Sequence, residues 1–304
     1  MSLRKRGWRY WRNLGLFSLL SVFIGLLFMQ YVGLPFYMSY GYSHPKRAAV
    51  CCITPADWGL AYEDVSFTTS DGLTLRGWYI PSQNRAAVIA LHGIAANRVA
   101  VMDHALMLSR NGYGVLMMDI RAHGESDGDV LPYGGDEAED VVAASAYLQS
   151  RADVDPERIG ALGLSLGAQV NILGAARTQA VKAVVADGPG ATTFEDWPPP
   201  HSFGDWLYVP FDLVFYQMLP WRTGVAHPVS LQTAIAQIAP RPILLIGGGR
   251  ERYGQEHHYA AAREPKTLWI IPEAGHIEGL SVRPQEYEEK VTAFFDEALL
   301  QDKP

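Results

Sequence analysis

Apolar and polar positions along this chain fall into two regimes. From Leu14 to Phe36 there are 23 residues without a formal charge, whereas from about Tyr62 onward short apolar runs alternate with amphipathic stretches. Tyr62–Thr69 and Leu73–Ile80 read as two strands turning at Ser70-Asp71-Gly72, a hairpin signal. Further strands are predicted at Ala86–Leu91, Gly114–Asp119, Arg158–Gly163, Val181–Asp187, Pro242–Gly247 and Thr267–Ile271. Helical patterns occupy Arg98–Asn111, Asp136–Arg151, Ala168–Arg177 and Pro284–Leu300. The acidic residues opening Asp136–Arg151 suit the positive end of a helix dipole. Strands alternating with helices predict an α/β fold, a mostly parallel eight-stranded sheet covered by helices on both faces. Ligands of such sheets bind beyond the carboxyl ends of the strands.

The rhythm breaks between Gly188 and Ala239. This stretch carries Trp197, Phe203, Trp206, Tyr208, Phe211 and Trp221 among several prolines. It is too long for an ordinary loop in a compact domain. Most of these aromatics are expected to pack the insertion onto the core, some to line an apolar pocket, and a membrane-facing lid is a further possibility.

The uncharged N-terminal run matches a membrane span, since about 20 residues at 1.5 Å each cross a hydrocarbon core of about 30 Å. Trp8, Tyr10 and Trp11 before it, and Tyr31, Tyr37 and Tyr40 near its far end, suit the two interfaces. Arg4, Lys5, Arg6, Arg9 and Arg12 precede the span and only Lys46 and Arg47 closely follow it. That asymmetry places the N-terminus in the cytoplasm and the rest outside. A cleaved signal peptide is the alternative, with Ser39-Tyr40-Gly41 as its cleavage site, but its apolar region is typically about 7–15 residues and this run is longer. The expected organisation is a basic tail over 1–13, an anchor over 14–36, a linker over 37–60, and a domain over 61–304 with an insertion at about 188–239. Nothing in the composition before Tyr62 suggests that it shapes a site. Beyond residue 12, twenty basic residues face thirty-two acidic ones, which argues against nucleic acid as a partner. Cys51 and Cys52 are the only cysteines, and neighbours in sequence rarely pair, so no disulfide framework and no zinc spacing is expected.

Three short motifs carry the candidate chemistry. Gly163-Leu164-Ser165-Leu166-Gly167 lies between a strand and a helix, the setting of a G-x-S-x-G nucleophile elbow. The pentapeptide alone is also compatible with an ordinary tight turn. Leu91-His92-Gly93-Ile94 closes the strand Ala86–Leu91, where an oxyanion-binding N–H is exposed in hydrolases of this kind. Pro272-Glu273-Ala274-Gly275-His276 follows the last strand and contains the last histidine of the chain, 111 residues after Ser165. Serine, acid and histidine then follow in the α/β-hydrolase order.

With these motifs, residues from about Tyr62 to Leu300 resemble a serine hydrolase of the α/β-hydrolase superfamily, similar to its bacterial branch with an N-terminal membrane segment. Asp119-Ile120-Arg121-Ala122-His123-Gly124-Glu125-Ser126 resembles that family's D-x-R-G-H-G-x-S loop, with Ala122 in place of glycine. The resemblance implies an α/β-hydrolase fold in which the insertion is a cap over the active site. It implies Ser165 as nucleophile, His276 as base, and the backbone N–H groups of Ile94 and Leu166 as oxyanion donors. The family's acid is an aspartate some five residues beyond the strand Pro242–Gly247. Glu251 occupies that place, in a loop that looks shortened and between Arg250 and Arg252, either of which is a competing partner. Glu256 and Asp187 are the alternative acids. His92 and His123 are expected to be structural, and His257 and His258 to lie on a helix surface.

No metal and no organic cofactor is implied. The leading function is hydrolysis of carboxylic esters, thioesters and lipid esters included, so the expected partners are a small-molecule ester and a membrane. A peptidase or amidase with the same triad is the alternative, with Glu195, Asp196 or Asp205 binding a free amino terminus. A non-catalytic binding protein that kept the fold is the third. Ser165 excludes the elbow aspartate that haloalkane dehalogenases and epoxide hydrolases need.

Overall fold

The computed structural model describes residues 3–301; the first two residues of the basic tail and the last three of the chain lie outside the described residues, as do the side chains of Arg4, Lys5 and Arg6. Eight strands form one sheet in the order β1-β2-β4-β3-β5-β6-β7-β8. They are β1 (Glu63–Thr68), β2 (Thr74–Ile80), β3 (Ala87–Leu91), β4 (Gly114–Met118), β5 (Ile159–Leu164), β6 (Val181–Asp187), β7 (Ile243–Gly248) and β8 (Lys266–Ile271). β1 pairs with β2 and β2 with β4 in antiparallel fashion, and all other neighbours are parallel. β3, β4 and β5 are buried along their whole length, as apolar strands covered on both faces must be.

Alternate residues of these strands feed two separate cores. Ile89, Leu91 and Leu116 point into one, and it is closed by α4 (Ala138–Gln149), α5 (Leu166–Arg177), α7 (Leu231–Ile238) and the end of α8 (Arg252–Ala261). Val88, Ala90, Val115 and Met117 point into the other, which α3 (Met102–Arg110) and α10 (Pro284–Phe295) close. A short α9 (Gly279–Val282) precedes α10. The insertion is a cap only in part. Its α6 (Phe203–Thr223) rises from the domain, whereas α7 buries Leu231, Ala234, Ile235 and Ile238 in the sheet's own cover.

The N-terminal run forms α1 (Leu3–Phe28), a short π-type turn at Met29–Gly33, and α2 (Leu34–Ser43), helical from end to end. α1 exposes Phe17, Leu19, Val22, Phe23 and Leu26 and packs against nothing described.

Residues 37–60 do more than link. Ser43 gives its carbonyl to the N–H of Leu131 at 2.8 Å, and Asn97 Nδ2 donates to the carbonyls of Ala48 and Ala49. Arg47 donates to the carbonyls of His123, Gly124, Ser126 and Gly128, four acceptors in one loop. Cys51 and Cys52 are disulfide-bonded to each other, against the expectation for neighbours, and Cys52 adopts φ 81°. That backbone turn brings the two sulfurs together where an extended chain would hold them apart.

Candidate active site

Ser165 sits between the end of β5 and the first residue of α5, with φ 54° and ψ −115°. A non-glycine residue in that region is strained, and such strain collects at functional positions. Its N–H is held by the carbonyl of Asp187 at 2.8 Å. The turn is possible only because both flanking glycines lack a Cβ. One added at Gly163 would lie 2.3 Å from the carbonyl oxygen of Gly167, and one at Gly167 would lie 2.4 Å from that of Leu91. β5, β3 and the start of α5 are therefore pressed together with backbone touching backbone.

The histidine arrives from the loop after β8. His276 Nε2 is 2.8 Å from Ser165 Oγ, and its Nδ1 is hydrogen-bonded to Glu251 Oε1. The other oxygen of Glu251 accepts the N–H of Gly248 at 2.9 Å. Glu251 stands in a 3-10 turn, Gly249–Glu251, directly after β7. The structure thus joins Ser165, His276 and Glu251 in one hydrogen-bonded chain. The Glu251 bond, opposed by partial burial, raises the pKa of His276 above its ordinary value.

Neither alternative acid reaches the histidine ring in this way. Glu256 pairs with Arg252 at 3.6 Å on the surface of α8, which also removes Arg252 as a competitor for Glu251. Asp187 is buried and accepts the hydroxyl of Tyr287 at 2.9 Å. Burial pushes its pKa up to about 6, so it sits beneath the site as a carboxyl whose ionisation is disfavoured but still occurs near neutral pH.

Leu166 opens α5, and the first N–H groups of a helix have no partner within it. The Leu91–Ile94 loop lies over the serine: a Cβ on Gly93 would be 3.5 Å from Ser165 Cβ and 4.0 Å from its Oγ. Both expected donors are therefore carried by backbone that borders Ser165. The loop is braced from below. His92 is fully buried, takes the N–H of Ile120 on Nε2 at 3.2 Å and gives its Nδ1 proton to the carbonyl of Gly93 at 2.7 Å. Burial lowers its pKa to about 3, so it stays neutral and keeps that tautomer. Asp119 takes the N–H groups of Arg98 and Glu125, and His123 donates Nδ1–H to the carbonyl of Arg121. Both histidines are structural supports. The loop that Arg47 grips, 123–128, belongs to this brace. Sequence reasoning missed Arg47 because nothing in the local pattern distinguishes it from a charge flanking a membrane span.

A cavity of about 820 Å³ opens in front of His276 and Glu251. Its walls include Phe194, Trp197, Pro198, Tyr208, Val209 and Tyr253, a mainly apolar set. Two of the acidic cap residues considered for a cationic substrate are occupied. Asp196 accepts from Thr192, Thr193, Ser230 and Gln232 and holds the base of the cap together. Asp205 caps α6 through Ser202. Glu195 lines the cavity, as does Asp212 of α6, whose carboxyl burial pushes up to about 6. His258 is buried and bonded to the carbonyl of Gly190 at 2.8 Å rather than lying on a helix surface. Among the described residues no group of three or more His, Cys, Asp or Glu is placed to hold a metal ion.

This arrangement can activate a hydroxyl and acylate it, and comparison with known proteins agrees with the fold that carries it. Residues 60–222 match the family described as X-Pro dipeptidyl-peptidase (S15 family). The chain is 31% identical to the protein YfhR of Salmonella typhimurium over 76% of its own length and 78% of the relative's. It is 32% identical to Rv2307c of Mycobacterium tuberculosis over 71% of this chain and 73% of that one. Among solved structures, the Pyrococcus furiosus esterase Pf2001 superposes with a TM-score of 0.68 at 28% identity, covering 85% of this chain and 98% of the esterase. The chain is a hydrolase of the α/β-hydrolase superfamily and belongs to the family described as X-Pro dipeptidyl-peptidase (S15 family).

Proposed function

We propose that the protein is a membrane-anchored serine hydrolase that cleaves carboxylic esters through an acyl-enzyme on Ser165. The observation that carries this reading is the hydrogen-bonded chain from Ser165 through His276 to Glu251 beside a mainly apolar cavity. Ser165 Oγ attacks the ester carbonyl while His276 Nε2 takes its proton. Glu251 keeps the Nδ1 proton in place and stabilises the imidazolium. The tetrahedral oxyanion is held by the N–H groups of Ile94 and Leu166, each donor worth about 3 kcal/mol. His276 then protonates the leaving alkoxide. Water repeats the sequence on the acyl-enzyme, releasing the acid and restoring Ser165.

The apolar run supports an anchor. Its helix extends over Gly7–Ser43, and its most apolar stretch is covered by no other described part of the protein. The basic asymmetry supports a cytoplasmic N-terminus and an outward-facing hydrolase domain, and residues 37–60 then hold that domain at the membrane surface.

A peptidase reading keeps the same triad. It is favoured by the family description and by Asp212, an acid on the cavity wall suited to an ammonium group. A panel of p-nitrophenyl esters and aminoacyl anilides, assayed with the full chain, separates the two. Ester turnover with no anilide turnover is expected. Preference for anilides with a free amino terminus, lost in Asp212→Asn, would replace the ester reading.

A further inference from the structure

α6 presents three different faces. Phe215 and Arg222 turn toward α2: the ring of Phe215 lies 5.3 Å from Tyr42, and Arg222 donates to Ser39 Oγ and to the carbonyl of Phe36, both at 2.7 Å. Tyr208, Val209 and Asp212 line the active-site cavity. The third face consists of Phe203, Trp206, Leu207, Pro210, Leu213, Val214, Gln217 and Trp221, which recur at helical spacing along the full length of α6. It contains no charge. Phe203 is 80% exposed, Trp206 61%, Leu207 49%, Leu213 41% and Trp221 70%. Soluble surfaces rarely carry a continuous apolar patch of this extent unless something covers it.

We infer that a lipid bilayer covers it, the same bilayer that holds α1, and that α6 is a membrane-seated lid admitting an amphiphilic ester from the lipid phase. This inference rests on the anchor reading above. The stripe is continuous with the span: at its C-terminal end Trp221 lies 6.4 Å, ring to ring, from Phe36, the last residue of the apolar run. Arg222, the one charge at that end, is folded inward over the rings of Phe36 and Tyr40. Tryptophan near both ends of the stripe is the residue that prefers the headgroup level. Leu14 to Gly33 is 20 residues, about 30 Å of helix, so the hydrocarbon core is crossed before α2 begins. The π-type turn at Met29–Gly33, followed by Pro35, marks the place where a helix changes direction most readily. A bend there lays α2 and α6 along the membrane surface together, because the contacts of Arg222 and Phe215 hold them as a pair. A helix that turns one apolar, uncharged face outward and keeps Asp205, Asp212 and Arg222 off that face has the form of an interfacial element. Its inner face is the wall of the cavity, so a chain dissolved in the leaflet has only α6 to pass.

The test uses the full chain in phosphatidylcholine–phosphatidylglycerol vesicles. The share of fluorescence due to Trp206 is obtained by difference from Trp206→Phe. That share is expected to be quenched by lipids brominated near the headgroup and protected from aqueous acrylamide. Phe203→Asp with Leu207→Asp, two residues outside the cavity, is expected to leave hydrolysis of p-nitrophenyl butyrate unchanged. Hydrolysis of a vesicle-dissolved long-chain ester should fall at least tenfold. Quenching of Trp206 by acrylamide but not by bromolipid overturns the inference while the protein resists alkaline carbonate. Protection from both quenchers also overturns it, by showing that protein covers the stripe. Release of the chain by carbonate overturns the anchor reading itself, and this inference with it.

Discussion

Glu251 meets Nδ1 of His276 with one carboxylate oxygen and, with the other, takes the backbone N–H of Gly248 at 2.9 Å. The carboxylate is therefore fixed by the strand end that carries it and fixes the ring in turn. A glutamate in a short 3-10 turn reaches the ring from a loop in which an aspartate would need a longer approach.

This pairing has a pH signature. The hydrogen bond from Glu251 is the main reason that His276 has a raised pKa, and its charge adds to the effect. His276 must be neutral to take the serine proton, so kcat/KM should rise with pH through a midpoint above the ordinary histidine value of about 6.5. Glu251→Gln should move that midpoint down and reduce kcat on the order of 10³-fold. The same raised pKa contributes stability that is fully present below about pH 6.5 and lost as pH rises through the folded value. A pH–rate profile of both proteins checks the account; an unmoved acid limb with near-normal turnover would remove Glu251 from it.

Asp187 shifts stability in the same direction, across a lower pH window. Burial lifts its pKa to about 6, so between about pH 4 and pH 6 the folded state holds a proton that the unfolded state has lost. Stability from this group therefore falls across that window as pH rises. Asp187→Asn removes the penalty and can keep an acceptor for Tyr287. It should gain on the order of 1 kcal/mol at pH 7 and retain turnover within a few-fold. Chemical denaturation and an ester assay are sufficient; collapse of turnover in this variant would make Asp187 part of the machinery.

Arg47 ties the segment after the apolar N-terminal helix to the loop bracing His92. Its four carbonyl acceptors on 123–128 lead to an expected loss of roughly 1–2 kcal/mol in Arg47→Ala. Turnover should drop through kcat with KM little changed, because the loop braces the oxyanion backbone and does not line the cavity. A protein beginning at Asp57 should show a larger loss, since it also lacks the contacts of Ser43, Ala48 and Ala49. Full activity in that shortened protein would show that the segment is a tether only.

Gly167→Ala tests the close approach of backbone at the elbow. Its Cβ would meet the carbonyl oxygen of Leu91 at 2.4 Å, and backbone on both sides cannot yield cheaply. A loss above about 3 kcal/mol, or failure to fold, is expected from overpacking of this severity. Near-normal melting would mean that β3 and α5 are not pressed together as described.

Much of this was legible in the sequence because the informative signals are local. All eight strands fall within about one residue of the expected positions, since the buried strands are short apolar runs bounded by turn residues and β1 and β2 flank a hairpin turn signal. The meeting of Ser165 with His276 was readable from motifs on tight turns, and the position of Glu251 from its distance past β7. What escaped depends on contacts between distant segments. Arg47 grips residues more than seventy positions away, and Asp212 is defined only by the cavity into which the cap folds. The exposed stripe of α6 was equally hidden, because its aromatics look like core until α2 and the domain occupy the other two faces. The pairing of Cys51 with Cys52 ran against a geometric expectation that a left-handed residue at Cys52 relaxes.

The central claim, that Ser165 is the nucleophile, has a direct measurement. The full chain is treated with a fluorophosphonate, and the adduct is counted by intact mass and located by peptide mapping. One adduct on the peptide containing Ser165 is expected, with none in Ser165→Ala although that variant melts as the parent does. No adduct in the parent, or an adduct that persists in Ser165→Ala, would contradict the account.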